Sequence, residues 1–412
     1  MKKILSLITA LFCFGAMVST AQTAYVTSET ANTITVINVA TGTVIDTIFV
    51  GTSHPYGVSV SPDGTRVYVT TQVNNSVTVI NTATNKVIDT IPAGTFPGGV
   101  VVSLDGTRVY VASQTDNKIY VINTATSKVI SNVKVSAFPL GLAVTPDGSM
   151  VYVACAHANK VSVINTATNT VIDSIVVGSF PFGVSINPAG STAYVTNSAD
   201  STVSVINTAT NLVTGKIYVG HHPRGISISP DGTKAFVTNL FDGTVSVINT
   251  GTNTVTATVT VGNNPNGISV SPDGTVVYVA NDASNTVSII SVASNTVTGT
   301  VNVSKQPEAI GNFISTYPTI TTGTPSLSVE PNISVYPNPS NGIFTIEVKS
   351  EKLTVKNFEV YNVLGENVYN QLLGKTQDES IIDISRQPNG IYLYRVVDGT
   401  GKLIKTGKLV KE

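Results

Sequence analysis

One stretch of about 42 residues is written out seven times, and it limits what the chain can become. A clear copy runs AYVTNSADSTVSVINTATNLVTGKIYVGHHPRGISISPDGTK, from Ala193 to Lys234. Aligned on one aromatic, the anchors are Tyr25, Tyr68, Tyr110, Tyr152, Tyr194, Phe236 and Tyr278. The first spacing is 43 residues and the next five are 42. A fixed period near 40 with several β-rich runs per unit points to a propeller or a linear array.

Each unit divides at turn signals into four short runs. In the unit opening at Pro223, PRGISIS alternates apolar and polar residues, as a strand with one buried face requires. Pro230-Asp231-Gly232-Thr233 is a turn, in which Pro presets φ and Gly accepts the left-handed position. KAFVTN, TVSVIN and TVTATVTVG supply three more strands, separated by LFDG and TGTN. Four such strands form a sheet that cannot bury both faces alone, so units must stack. No helical periodicity of useful length occurs between Gln22 and Ser315.

The ends of the array are complementary. The chain enters at a second run, TAYVTS, and leaves on a degenerate first run, PEAIGNFIS, from Pro307 to Ser315. Pairing these two completes seven four-stranded units, which predicts a closed all-β ring. An open solenoid would need polar caps, and none is visible. The repeats resemble the YVTN family of β-propellers, whose letters stand at Tyr194-Val195-Thr196-Asn197. The resemblance implies a seven-bladed β-propeller over residues 22–315, closed by its N- and C-terminal strands. Members of that family include surface-layer and secreted proteins. The shape is shared with lactonases and redox propellers, so fold alone fixes no reaction.

Net charge is −1 and only 11% of residues are charged, which argues against nucleic acid as a partner. Mean hydropathy is +0.24, yet past the N-terminus no apolar run reaches about 18 residues. Residues 1–21 read as a signal peptide: Lys2 and Lys3, an apolar run from Ile4 to Val18, then Ser19-Thr20-Ala21 before the cut. The mature chain is then expected to carry no transmembrane segment. It keeps one cysteine, Cys155, which excludes an internal disulfide and a cysteine-rich zinc site.

After Ser315 the period stops. Residues 316–330 are rich in Thr, Ser and Pro and read as a linker. Residues 331–412 carry short alternating runs with Gly and Asn turns, as a small β-sandwich does. VYPNPSNGIFTIEV (Val335 to Val348), EVYNVLGENV (Glu359 to Val368), IDIS (Ile382 to Ser385), NGIYLYRV (Asn389 to Val396) and GKLVKE (Gly407 to Glu412) follow in order. They resemble the C-terminal sorting domain of the type IX (Por) secretion system. The resemblance implies that machinery as a partner, export across the outer membrane, and a tail removed after crossing. A carbohydrate-binding or fibronectin-like sandwich is the alternative.

No metalloprotease, nucleophile-elbow, P-loop, EF-hand or C-x-x-C motif occurs, and neither a cofactor nor a metal is expected. The recurring Asp-Gly pairs, such as Asp63-Gly64 and Asp231-Gly232, read as turn chemistry and not as Ca²⁺ ligands. The turn that opens each unit is where the copies differ. Before its Pro stand His54, Phe96, Phe138, Phe180, His222, Asn264 and Gln306. After it stand Tyr56, Gly98, Leu140, Phe182, Arg224, Asn266 and Glu308. In a propeller these turns ring one mouth of the channel, with Asp116, His157, Asp200, Phe241 and Asp242 on adjoining loops.

The ring divides into an aromatic or apolar arc and a hydrogen-bonding arc of His222, Arg224, Asn264, Asn266, Gln306 and Glu308. Such a pair of arcs suits a sugar, a peptide or a small amphiphile. This reading makes the chain a secreted or cell-surface binding or adhesion scaffold with an extracellular glycan, peptide or surface protein as ligand. A structural surface-layer component and a lactonase-like hydrolase are the alternatives. The hydrolase would use His222, Arg224 and Glu308 as base, anion clamp and acid. On the outer strands, Asp46-Thr47-Ile48, Asp89-Thr90-Ile91 and Asp173-Ser174-Ile175 resemble bacterial O-glycosylation sites.

Overall fold

The computed structural model describes residues 22–315, 332–349, 355–362, 367–372, 379–398 and 403–412. The expected signal peptide, 1–21, and the expected linker, 316–330, lie outside the described residues. The chain divides into two compact units, Met1–Thr321 and Thr322–Glu412.

The first unit is built from antiparallel sheets in chain order. Sheet one has three strands, Thr23–Ser28, Thr33–Asn38 and Thr43–Phe49. Six four-stranded sheets follow; sheet five, for example, runs Pro181–Ile186, Thr192–Asn197, Thr202–Asn207 and Leu212–Tyr218. The second strand of each is buried along most of its length, whereas the fourth is mostly exposed. That gradient explains the composition. YVTN-like runs are covered on both faces by neighbouring sheets, and the outer strand needs one buried residue, such as Ile217. A register shift between the third and fourth strands, at Val205/Ile206 in sheet five, bulges the exposed edge and blunts it against further pairing.

Cores are shared between successive sheets. Tyr194, Val203 and Val205 of sheet five pack with Ala235, Val237 and Ile248 of sheet six. Tyr278, Val287 and Ile289 of sheet seven pack with Ile34 and Val36 of sheet one. The seven anchor aromatics are all buried. Tyr152 Oη donates to Asn211 Oδ1 in the next sheet at 2.6 Å, and Tyr278 Oη donates to the Val39 carbonyl of sheet one at 3.1 Å.

The terminal run 307–315 does not form a continuous strand. Ala309 at φ 47° and Gly311 at φ 125° interrupt its extension. It still bridges antiparallel to sheet one, Ala24 to Ile314 and Ser28 to Pro307. Tyr25 N–H donates to the Phe313 carbonyl and Ser315 N–H to the Thr23 carbonyl, both at 2.9 Å. The first strands of sheets two and seven flank the same run: Val58 N–H donates to the Ile310 carbonyl and Gly267 N–H to the Glu308 carbonyl, both at 2.9 Å.

The first strands crowd one another closely. The Gly two residues after the opening Pro of six units is where they meet, since a Cβ on Gly183 or Gly225 stands 2.5 Å from the Arg224 or Asn266 carbonyl oxygen. At the other end of the strand lies the Pro-Asp-Gly turn. Ser229 Oγ and Thr233 N–H donate to Asp231 Oδ1 at 2.5 and 3.0 Å, and Gly232 takes φ 73°. These bonds hold the Asp231 carboxyl below the usual range. The recurring Asp thus serves the turn.

The second unit has a three-stranded sheet (Asn332–Tyr336, Ile343–Lys349, Glu379–Asp383) and a four-stranded one (Val355–Tyr361, Asn367–Leu372, Gly390–Asp398, Leu403–Lys411). One apolar core joins Phe344, Ile346 and Ile382 of the first to Phe358, Tyr394, Val396 and Leu409 of the second. The YPNPSNG loop is tied to the last strand. Asn338 donates from Nδ2 to the Lys408 carbonyl at 2.6 Å and accepts from Val410 N–H at 2.8 Å. This connects the two most separated motifs of the tail.

Candidate functional site

The turns that open the units share one backbone conformation. His54, Phe96, Phe138, Phe180, His222, Asn264 and Gln306 all have φ between 50° and 61°. An L-residue in this left-handed region costs about 1–2 kcal/mol. An Asn from the preceding sheet offsets that cost in five turns: Asn32, Asn75, Asn117, Asn159 and Asn285 accept the N–H of His54, Phe96, Phe138, Phe180 and Gln306 at 2.7–3.0 Å. Because the cap is supplied from outside, the side chain before the Pro of these five turns is free to vary.

The aromatic arc comes together as a cluster. Phe138 stacks on His157 with ring centroids 4.1 Å apart, and Phe180 tilts against the same imidazole at 5.9 Å. His157 is presented by the 3-10 turn Ala156–Ala158, in the loop after the second strand of sheet four. Phe96 is 43% exposed. In the polar arc His222 stacks on the exposed Phe241 at 4.5 Å.

The residues after each Pro fill the centre. Leu140 and Phe182 are buried and pack with Ala156 and Ile310, touching Tyr56, Phe138 and Phe180. The Arg224 guanidinium lies over the Phe182 ring, 4.6 Å from its centroid. Asn266 Nδ2 donates to Glu308 Oε2, and both side chains are buried. Three of the expected ligand contacts, Phe182, Asn266 and Glu308, therefore lie beneath the surface, because the first strands converge too tightly to leave their side chains exposed. Asp116, Asp200 and Asp242 are also committed, accepting from the turn N–H groups of Thr95, Ser179 and His221 at 2.7–3.0 Å.

The polar arc contains two acids that turn patterning does not reveal, Glu29 and Asp282. Both directly follow a YVTN-like strand, in the column also occupied by Gln72, Gln114, Ala156, Ser198 and Leu240. The departure to acid at the two places flanking the chain ends was the available signal. Glu29 Oε1 stands 3.5 Å from His54 Nδ1. Burial, then Asp282 and Glu29, push the Glu308 carboxyl up to about 8. Burial and Arg224 lower His222. Arg224 Nε, Asn266 Oδ1 and Asp282 Oδ1 are buried without a hydrogen-bond partner.

Arg224 acts electrostatically on both His222 and Glu308, but no hydrogen bond or ion pair joins the three residues. Among the described residues no group of three or more His, Cys, Asp or Glu is placed to hold a metal ion. No described helix is long and apolar enough to cross a membrane. Thr47, Thr90 and Ser174 of the three triplets are exposed, and the backbone N–H of each donates to Oδ1 of the preceding Asp.

A family model described as a YNCE-like beta-propeller matches residues 58–146, 185–259 and 232–313. The chain belongs to that family. A second model, the secretion system C-terminal sorting domain, matches residues 334–412 of this propeller protein and implies export through the type IX system to the cell surface or beyond. Among solved structures, the propeller is similar to "Kuenenia stuttgartiensis Hydrazine Synthase", with TM-score 0.57 and 23% identity over 62% of this chain and 88% of that one. A functionally unknown protein from Desulfotomaculum acetoxidans DSM 771 gives TM-score 0.62 and 17% identity over 71% of this chain and 100% of that one. These likenesses establish fold alone. No curated protein matches the chain.

Proposed function

We propose that the chain is an exported binding scaffold, a closed seven-bladed propeller whose turn face receives an extracellular ligand. Closure is supported by the bridges from Ala24 and Ser28 to residues 307–314 and by the core that sheet seven shares with sheet one. The observation carrying the binding reading is the composition of the turn face. The Phe138–His157–Phe180 cluster offers flat apolar surface, and the polar arc holds Arg224 and Asp282 with unpartnered buried polar atoms. Flat rings beside hydrogen-bonding groups suit a sugar or a short peptide.

The test is binding of the exported chain to glycan and peptide arrays. Phe180→Ala and Arg224→Ala are each expected to weaken the bound signal by about ten-fold, equal to about 1.4 kcal/mol, with the fold unchanged by circular dichroism. Binding that survives both changes, or an array with no specific signal, contradicts the reading.

A further inference from the structure

The first strands enclose a second feature, away from the turn face. A cavity of about 470 Å³ lies along them, beyond the buried plug. Phe182 and Ile310 close its inner end, and the turn residues Pro62, Pro230 and Pro272 stand at the opposite end of the same strands. Its size falls within the range of small-molecule pockets, about 300–1,000 Å³.

No residue lining this cavity carries a charge. In the turns at its rim, Asp231 has both oxygens taken up by Ser229 and Thr233, and Asp273 Oδ1 accepts from Ser271 and Thr275. The wall is also uneven. Val101 and Ala143 make one side apolar, whereas Ser185 and Ser227 put hydroxyl groups at the same strand position on the other, and Asn312 adds an amide beside them. Asn312 is exposed within the cavity and uses its Oδ1 to accept from Ser269 Oγ at 3.0 Å. An ion would enter without a counter-charge, at a desolvation cost that nothing here offsets. Ser227 Oγ also accepts from Val270 N–H at 3.1 Å, so a wholly apolar guest would leave the Ser185 and Ser227 hydroxyl protons and the Asn312 amide N–H groups without a partner from the ligand.

We infer that this cavity binds a neutral, mostly apolar small molecule bearing a single hydroxyl or carbonyl group, which lies against the Ser185–Ser227–Asn312 arc. The site is separate from the turn face, and its ligand need not be the same.

The neutral fluorophore N-phenylnaphthylamine serves as the probe on the full exported chain. Saturable binding of one probe per chain is expected. Decanol should displace it at least about ten-fold more effectively than decanoate or decylammonium. Ala143→Phe and Ser185→Leu, which fill the cavity from two different strands, should each weaken the probe by about ten-fold or more, while Phe241→Ala on the turn face leaves it unchanged. Absence of saturable binding, equal displacement by the charged chains, or unchanged affinity in a folded filling variant overturns the inference. Should both filling variants fail to fold, Asn312→Ala decides. A drop in decanol affinity of about three-fold or more supports the site, and no drop overturns it.

Discussion

Thr196 Oγ1 donates to the Arg224 carbonyl of the next sheet at 2.7 Å while accepting from the Gly183 N–H of its own sheet at 2.8 Å. The same hydroxyl geometry recurs at Thr70, which meets Gly57 N–H and the Gly98 carbonyl, and at Thr238, which meets Gly225 N–H and the Asn266 carbonyl. Thr27 accepts from Ala309 N–H at 2.8 Å and donates to the Tyr56 carbonyl at 2.7 Å. The third letter of YVTN is therefore an inter-sheet tie. Thr196→Val keeps the shape and removes the tie, leaving two buried backbone groups unpaired. Unfolding by urea should show a loss of about 1–3 kcal/mol.

The glycine beside that tie is held by space, not by backbone conformation. Gly183→Ala sets a Cβ against the Arg224 carbonyl and should lower stability by about 3 kcal/mol or prevent folding. Gly148→Ala is the contrasting case. Nothing lies within 4 Å of its Cβ, but its φ is +72°. Thermal melts should show the smaller cost of a left-handed alanine, about 1–2 kcal/mol.

Glu308 makes stability depend on pH in a definite direction. Burial raises its carboxyl from the ordinary 4.5 to about 8, so between these values the folded chain holds a proton that the unfolded chain has lost. This contribution is complete below about 4.5 and disappears as pH rises through about 8. Glu308→Gln cannot ionise. Relative to the variant, the native chain should lose stability across that window in denaturant titrations at stepped pH, and parallel curves would contradict the assignment.

Export should depend on the second unit. A chain ending at residue 330 is expected to remain on the inner side of the outer membrane, whereas the full chain reaches the surface or the medium. Fractionation of a tagged protein reads the difference. Equal export of both forms would remove the tail from the export route.

Much of the fold was legible because the repeat wrote its local rules several times over. Tyr194, Asp231 and Gly232 take the places that periodicity and turn chemistry assign them. The turn face was legible in part. The positions before each Pro vary as expected, but their left-handed backbone was not readable, since Asn159 caps Phe180 from another sheet across 21 residues of sequence. The burial of Phe182, Asn266 and Glu308 follows from how closely the first strands converge, which no single copy of the repeat encodes. The cavity beyond them was hidden for the same reason: Val101, Ala143, Ser185 and Asn312 meet only when all the first strands are assembled.

The turn face and the cavity both require that the ring close where the chain ends meet. Ala24 and Ile314 form an antiparallel bridge, both fully buried, flanked by the Tyr25–Phe313 and Ser315–Thr23 hydrogen bonds. A facing pair of this kind sits within disulfide reach, with Cα atoms about 4.5 Å apart. The double variant Ala24→Cys with Ile314→Cys, oxidised at low protein concentration and mapped by peptide mass spectrometry, should yield one intramolecular link between the two positions. The same link should not form in a chain unfolded in urea. Two free thiols, or links only between separate chains, would contradict the closed ring.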